Sequence, residues 1–265
     1  TLDIAGIAAA KGTKIMLMGM SRLRRTLEAL MAAGQGGDVP AAAIQWAATA
    51  PFAAPCSVPR NMQAAMKYTK EYGGIVEAAI SYTTSPVHNE DYFVKLAADI
   101  EAMGADMICI KDMAGLLLPF SAYSLVKKLK ENTKLPIVLH THNTAGTGAM
   151  TLLKAVEAGV DVIDCALSPL GGGTSQPATE SMVAVLKGSE FDTGLDEDLM
   201  SKIAEHFRTV ADRLNKDGWR DAGKVLAVDA KALQYQVPGG MLSNLIGQLK
   251  QANAMDKYYD VLAEV

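Results

Sequence analysis

Short apolar runs alternate with longer stretches of helical period along most of the chain. Residues 14–18, 41–46, 74–81, 106–110, 136–140 and 160–166 read as strands. Most are almost continuously apolar, the pattern of parallel strands covered on both faces. Between them, residues 21–33, 60–72, 89–103, 121–132 and 149–158 read as helices. Gly34, Gly73, Gly104 and Gly159 follow the ends of these helices, where a left-handed residue closes the last turn. Repeated βα units imply a parallel sheet with right-handed crossovers, either a barrel or an open doubly wound sheet. Six strands fall short of the eight of a complete (βα)₈ barrel, and no repeat finer than the βα unit stands out.

From about residue 195 strands give way to amphipathic helices at 197–216 and 243–254. Such a tail packs against its domain or forms an oligomer surface. The expected organisation is an incomplete TIM-barrel-type α/β domain at 1–194, built of parallel βα repeats, followed by a helical extension at 195–265. Residues 47–59, AATAPFAAPCSVP, are rich in Ala and Pro, carry neither period, and read as a loop.

Composition narrows the function classes. With 49% hydrophobic and 20% charged residues, the 265-residue chain can bury a substantial core. A net charge of −4 with scattered Lys and Arg leaves no footprint for nucleic acid. No apolar run reaches the roughly 18 residues of a membrane helix. The opening TLDIAGIAAAKGTK lacks the regions of a signal peptide. Cys56, Cys109 and Cys165 are too few and too far apart for a disulfide framework, and the last two sit in apolar runs. A reduced, cytoplasmic setting is expected.

The sharpest chemical signal is LHTHNTAG at 139–146. His140 and His142 stand at i and i+2 at the end of an apolar strand, so both project to one face. In βα folds that face borders the place where active sites collect. Two imidazoles so placed either bind one divalent cation, with donors suited to zinc, cobalt or manganese, or merely satisfy a strand end. One unit earlier, MICIKDMAGLLLP places Lys111 at another strand end. Lys111 either snorkels to solvent, pairs with Asp112, or is an amine whose reactivity is used. SPLGGGTSQP at 168–177 is glycine-rich but lacks a P-loop ending, which argues against nucleotide binding. Thr174 or Ser175 is expected to cap the following helix, with Pro177 in its first turn. Ser243, after Gly-Gly, suits a helix N-cap.

IKDMAGLLLP, HTHNTAGTGAM, SPLGGGTSQPATESMVA and QVPGGMLSNL follow one another in that order, with EAAISYTTSPVHNEDYFVKLA upstream. Together, over about residues 59–265, they resemble the carboxyltransferase domains of biotin-dependent enzymes. That group comprises the oxaloacetate decarboxylase α subunit, the transcarboxylase 5S subunit and pyruvate carboxylase. The resemblance implies a (βα)₈ barrel followed by a helical region. It implies that Lys111 is carbamylated and holds a divalent metal (zinc, cobalt or manganese) with His140 and His142. That metal would act as a Lewis acid on the enolate of pyruvate. Carboxyl transfer between pyruvate/oxaloacetate and biotin would follow, the biotin arriving on a carrier domain. Ser243 would move a proton between biotin and enol, and Thr174 would border the site. A homo-oligomer is the implied assembly.

Two family motifs are absent: DTTLRDAHQ, which supplies a fourth metal ligand, and LLRGQN, whose Arg grips the substrate carboxylate. Residues 12–51, GTKIMLMGMSRLRRTLEALMAAGQGGDVPAAAIQWAATAP, instead resemble the C-terminal half of tetrapyrrole methyltransferases such as uroporphyrinogen-III methyltransferase. The chain thus reads as a mosaic, with residues 1–52 of foreign origin and turnover impaired. A catalytically inactive metal-binding α/β scaffold and a tetrapyrrole methyltransferase fragment are the competing readings.

Overall fold

A computed structural model describes residues 28–29, 32–34, 60–218, 220, 222–236, 245, 248–249 and 252–264. The expected strands at 14–18 and 41–46, nearly all of the methyltransferase-like segment, and Ser243 lie outside the described residues. Within them the chain runs α1 (Arg60–Glu71), β1 (Glu77–Ser81), α2 (Glu90–Ala102), β2 (Met107–Asp112), α3 (Pro119–Asn132), β3 (Ile137–Thr141), α4 (Gly148–Glu157), β4 (Val162–Ile163), α5 (Thr179–Leu186) and α6 (Glu197–Lys216). Short helices at Ala222–Val225, Ala232–Tyr235 and Tyr258–Glu264 follow. No described helix is long and apolar enough to cross a membrane.

The strands form a parallel sheet in the order β1-β2-β3-β4, as four consecutive βα units of a barrel-type fold require. Alternation divides each strand between two faces. Ala78, Ile80, Ile108, Ile110, Ile137 and Leu139 enter the main core with Phe93, Ile100, Leu125, Leu129 and Leu152 from the helices. The opposite face begins with Ala79, Cys109 and Val138 packed side by side. Two residues on, the ladder aligns Ser81 with Lys111 and Lys111 with His140 on that same face. Helix ends follow the sequence closely. The Asn89 side chain caps α2 by accepting from Tyr92 N at 3.0 Å, and Gly73, Gly104 and Gly159 all take positive φ.

Two expectations are corrected. Regular pairing of the last strand covers only Val162–Ile163, not 160–166, because the chain turns away to bridge Ala166 with Ala178. The helix after the glycine-rich loop starts at Thr179 with Ala178 as N-cap, so Thr174 and Ser175 do not cap it and Pro177 precedes it. One side-chain device recurs at two of the strand feet. Asp106 accepts from Val76 N and pairs with Lys70; Asp161 accepts from Ile137 N and pairs with Lys130. Each aspartate stands two residues after a helix-ending glycine and ties the foot of its own strand to that of the preceding one.

The loop that carries the functional strand ends is fixed by Asp112. This residue has 0% exposure, and its carboxylate accepts from Leu116 N (2.9 Å), Leu117 N (2.8 Å) and Thr141 Oγ1 (2.8 Å). Burial pushes the carboxyl pKa up, while those three donors favour the charged form. Being next in sequence to Lys111 on a strand, Asp112 points to the other face, so it is not that lysine's ion-pair partner. Gly115 in the same loop has φ +68°, and a Cβ there would lie 2.6 Å from the His142 carbonyl oxygen. Only glycine lets the KDMAG loop lie against the HTH backbone.

Asp112→Ala should destabilise the fold by about 3–5 kcal/mol, the loss of several hydrogen bonds at a buried carboxylate. Gly115→Ala should cost at least about 1–3 kcal/mol through strain and the backbone clash. Both are measured as shifts in urea-unfolding midpoint, and a change within about 0.5 kcal/mol in either would contradict the role given to it.

Candidate metal centre

His140 is the penultimate residue of β3, on the face opposite the main core, and His142 follows the strand's last residue with its ring against that of His140. Their Nε2 atoms stand 3.3 Å apart. Each ring is held through its other nitrogen. His140 Nδ1 donates to Asp164 Oδ2 at 2.9 Å, and His142 Nδ1 donates to the Thr174 carbonyl at 2.5 Å. A carbonyl or carboxylate can only accept, so in the neutral rings the proton sits on Nδ1 and the lone pair on Nε2. Burial holds the His142 pKa below its ordinary value, and the charge of His140 adds to that, against the Thr174 bond and the Asp112 charge. The neutral, ligand-competent form is therefore favoured.

This geometry fits a divalent metal. Two nitrogens bound at about 2.0–2.1 Å to one tetrahedral zinc lie about 3.3 Å apart, the separation observed. Metal-binding histidines also commonly donate their second nitrogen to a carboxylate or carbonyl, as these do. Lys111 stands beside His140 in the ladder, and its charge reaches His142, Glu77 and Cys109. Among the described residues no group of three or more His, Cys, Asp or Glu side chains gathers in a metal-binding arrangement. Any further ligand of a metal at this pair would have to come from another residue type or from outside the described residues.

The floor beneath this pair is polar for a sheet interior. Burial, reinforced by Asp164, raises the Glu77 pKa, and Glu77 in turn shares a hydrogen bond with the Cys109 thiol. Burial drives the Cys109 pKa well above the thiol range and that of Cys165 to about 12, so neither is a ready nucleophile. Ser81, aligned with Lys111, has a buried hydroxyl without a partner among the described residues.

Sequence reasoning put His140 and His142 on one face and Lys111 at the end of the neighbouring strand, and the ladder aligns Lys111 with His140. Thr174 is at the site, and its carbonyl carries the contact to His142. Asp164 and Gln176 were missed. Gln176 Nε2 lies 3.2 Å from both imidazole Nε2 atoms. Only the QP that ends the glycine-rich loop marked the latter, and periodicity assigns it nothing. The loops interlock around these residues: Asn143 N donates to Ser175 O at 2.7 Å, and Asp229 N to Thr144 O at 2.9 Å. A cleft of about 520 Å³ lined by Glu180, Glu197, Met200, Ser201 and Arg208, among others, lies between α5 and α6 and shares no residue with the imidazole pair.

Comparison with known proteins places this geometry in a family. The HMGL-like model matches residues 40–207, beginning inside the segment read as methyltransferase-like, and a conserved carboxylase domain matches residues 232–265. A pyruvate carboxylase subunit from Methanocaldococcus jannaschii is 52% identical over 206 residues, covering 78% of this chain and 36% of that protein. The 2-oxoglutarate carboxylase large subunit of Hydrogenobacter thermophilus is 44% identical over 208 residues, covering 78% and 31% respectively. The carboxyl transferase domain of Rhizobium etli pyruvate carboxylase superposes with a TM-score of 0.72 at 38% identity, covering 76% of this chain and 34% of that one. The chain thus spans about a third of the length of the relatives it matches. With a family model covering more than half its residues, and with carboxylase subunits and a carboxyl transferase domain as relatives, the chain belongs to the HMGL-like family.

Proposed function

We propose that this chain is carboxyltransferase machinery of a biotin-dependent carboxylase, acting on a 2-oxo acid of the pyruvate/oxaloacetate class beside a divalent metal held by His140, His142 and Lys111. The carrying observation is the imidazole pair: two Nε2 lone pairs 3.3 Å apart, each ring fixed by a bond at Nδ1. The relatives' names support the reaction class, and one of them names 2-oxoglutarate, so the oxo acid's side chain is the variable within that class.

The bound metal, zinc, cobalt or manganese, would supply Lewis-acid stabilisation of an enolate. The chain's own residues prepare for it. Asp164 and the Thr174 carbonyl hold the rings in one tautomer. Lys111 fits as the third ligand only after carbamylation, because an ammonium beside the metal would repel it while a carbamate offers an anionic oxygen. Ser243 would pass a proton between biotin and enol. The carboxylated biotin comes from a carrier domain, and a homo-oligomer belongs to the same proposal, with Leu199 and Ile203 exposed along α6 as an apolar surface for it. Lacking the DTTLRDAHQ and LLRGQN motifs, the chain has no identified counterpart of their metal-binding Asp or carboxylate-gripping Arg. We therefore place its turnover below that of a family member that carries both; the inactive metal-binding scaffold is the limit of that trend.

Metal analysis tests the site. His142→Ala should remove most bound zinc or cobalt, whereas His88→Ala and His206→Ala should not. His88 bonds to Ser85 Oγ at 2.7 Å in a loop, and His206 lies on the exposed side of α6. Equal loss in all three would reject the assignment. Oxaloacetate decarboxylation by the purified chain should run at least about 10²-fold slower than by a relative with both motifs, the usual cost of lost substrate positioning. A full rate would overturn the proposed impairment.

A further inference from the structure

We infer that Gln176 is a latch on the imidazole pair: its amide holds both Nε2 lone pairs and must be displaced before a divalent cation can use them. The inference rests on the reading of His140 and His142 as metal ligands. Three nitrogens form a nearly equilateral triangle, with Gln176 Nε2 at 3.2 Å from each ring nitrogen and the two ring nitrogens 3.3 Å apart. Ser175 Oγ donates to Gln176 Oε1 at 3.2 Å, which turns the carboxamide so that its NH₂ faces the rings. An NH₂ carries two hydrogens, one for each lone pair. Without such a donor, two lone pairs this close would repel one another in a partly buried pocket.

A ring nitrogen has a single lone pair, so the amide and a cation compete for the same two atoms. Displacement needs only the side chain to rotate. The Gln176 carbonyl stays bonded to Gly172 N at 2.8 Å, and its neighbours hold the loop through Asn143 N to Ser175 O (2.7 Å) and Ala166 N to Pro177 O (3.0 Å). The latch therefore opens without opening the loop, and the Thr174 carbonyl keeps its grip on His142. Gln176 acts as a positioning residue: it keeps the rings converged and sets the threshold at which a cation enters.

The test uses the full chain stripped with chelator and titrated with Co²⁺, followed by visible absorption, and with Zn²⁺ against a chromophoric competitor. Wild type, Gln176→Ala, Gln176→Met and His142→Ala are compared. Removing the donor should tighten zinc binding about tenfold, the ratio that roughly one net hydrogen bond represents. The same variants should melt at a lower temperature than wild type when stripped, and at a similar one when zinc-saturated. Methionine keeps the volume of Gln176 without its N–H groups, so it decides the matter if the alanine variant fails to fold. Wild type binding zinc with both variants equal or weaker overturns the latch and leaves the metal site standing. No cation bound by wild type or by either Gln176 variant overturns the metal site and the latch together.

Discussion

A carboxylate with no exposed surface is the constraint on which the rest of this site depends. Asp112 cannot be solvated, so its position is dictated by the donors that surround it: two backbone N–H groups of its own loop and the Thr141 hydroxyl of the next strand. Satisfying it folds the KDMAG loop back and pins that loop to the end of β3. The Asp112 carbonyl accepts from His142 N at 3.0 Å, so the same residue also sets the exit direction of the HTH segment. Lys111 and His140 then sit in register on one face as a consequence of where Asp112 sits on the other. The acidic residue adjacent to the proposed ligand thus works through geometry, facing away from the chemistry.

The second layer of support is loop against loop. The HTH segment is held by the glycine-rich loop through Asn143, Ser175 and Thr174, and by the chain after α6 through the bond from Asp229 to Thr144. Val228 packs where a Cβ on Gly146 would lie, at 3.0 Å, and Leu226 approaches Gly172. Residues 226–229 are therefore part of the wall around the site, just ahead of the conserved carboxylase domain matched from residue 232.

Much of this was legible in the sequence because it is local. Apolar runs and helical spacing located the elements from α1 onward, and the i, i+2 rule put His140 and His142 on one face. What was hidden depends on contacts between distant residues. Asp164 meets His140 across 24 positions and Gln176 meets it across 36, and no period links such pairs. Thr174 was expected for its side chain, yet it serves His142 through a carbonyl that every residue possesses. The helix start at Thr179 was misplaced because Thr174 and Ser175, good capping residues, are engaged in closing the loop. Ser175 N donates to Gly172 O at 2.9 Å across it, and the Thr174 carbonyl accepts from His142.

The aspartates at the strand feet have a mechanical consequence. Asp106 rivets β1 to β2 and Asp161 rivets β3 to β4, both at the N-terminal edge of the sheet. Among the described residues the seam between β2 and β3 shows no such rivet at that edge; Asp112 and Thr141 fasten it at the opposite one. At that rim the bond from His140 Nδ1 to Asp164 Oδ2 also ties β3 to the chain leaving β4, so side-chain fasteners gather around His140. Held from both neighbouring strands, His140 keeps its register with Lys111, so a bulky ligand entering at that rim would be accommodated by side-chain rotation rather than by parting of the strands.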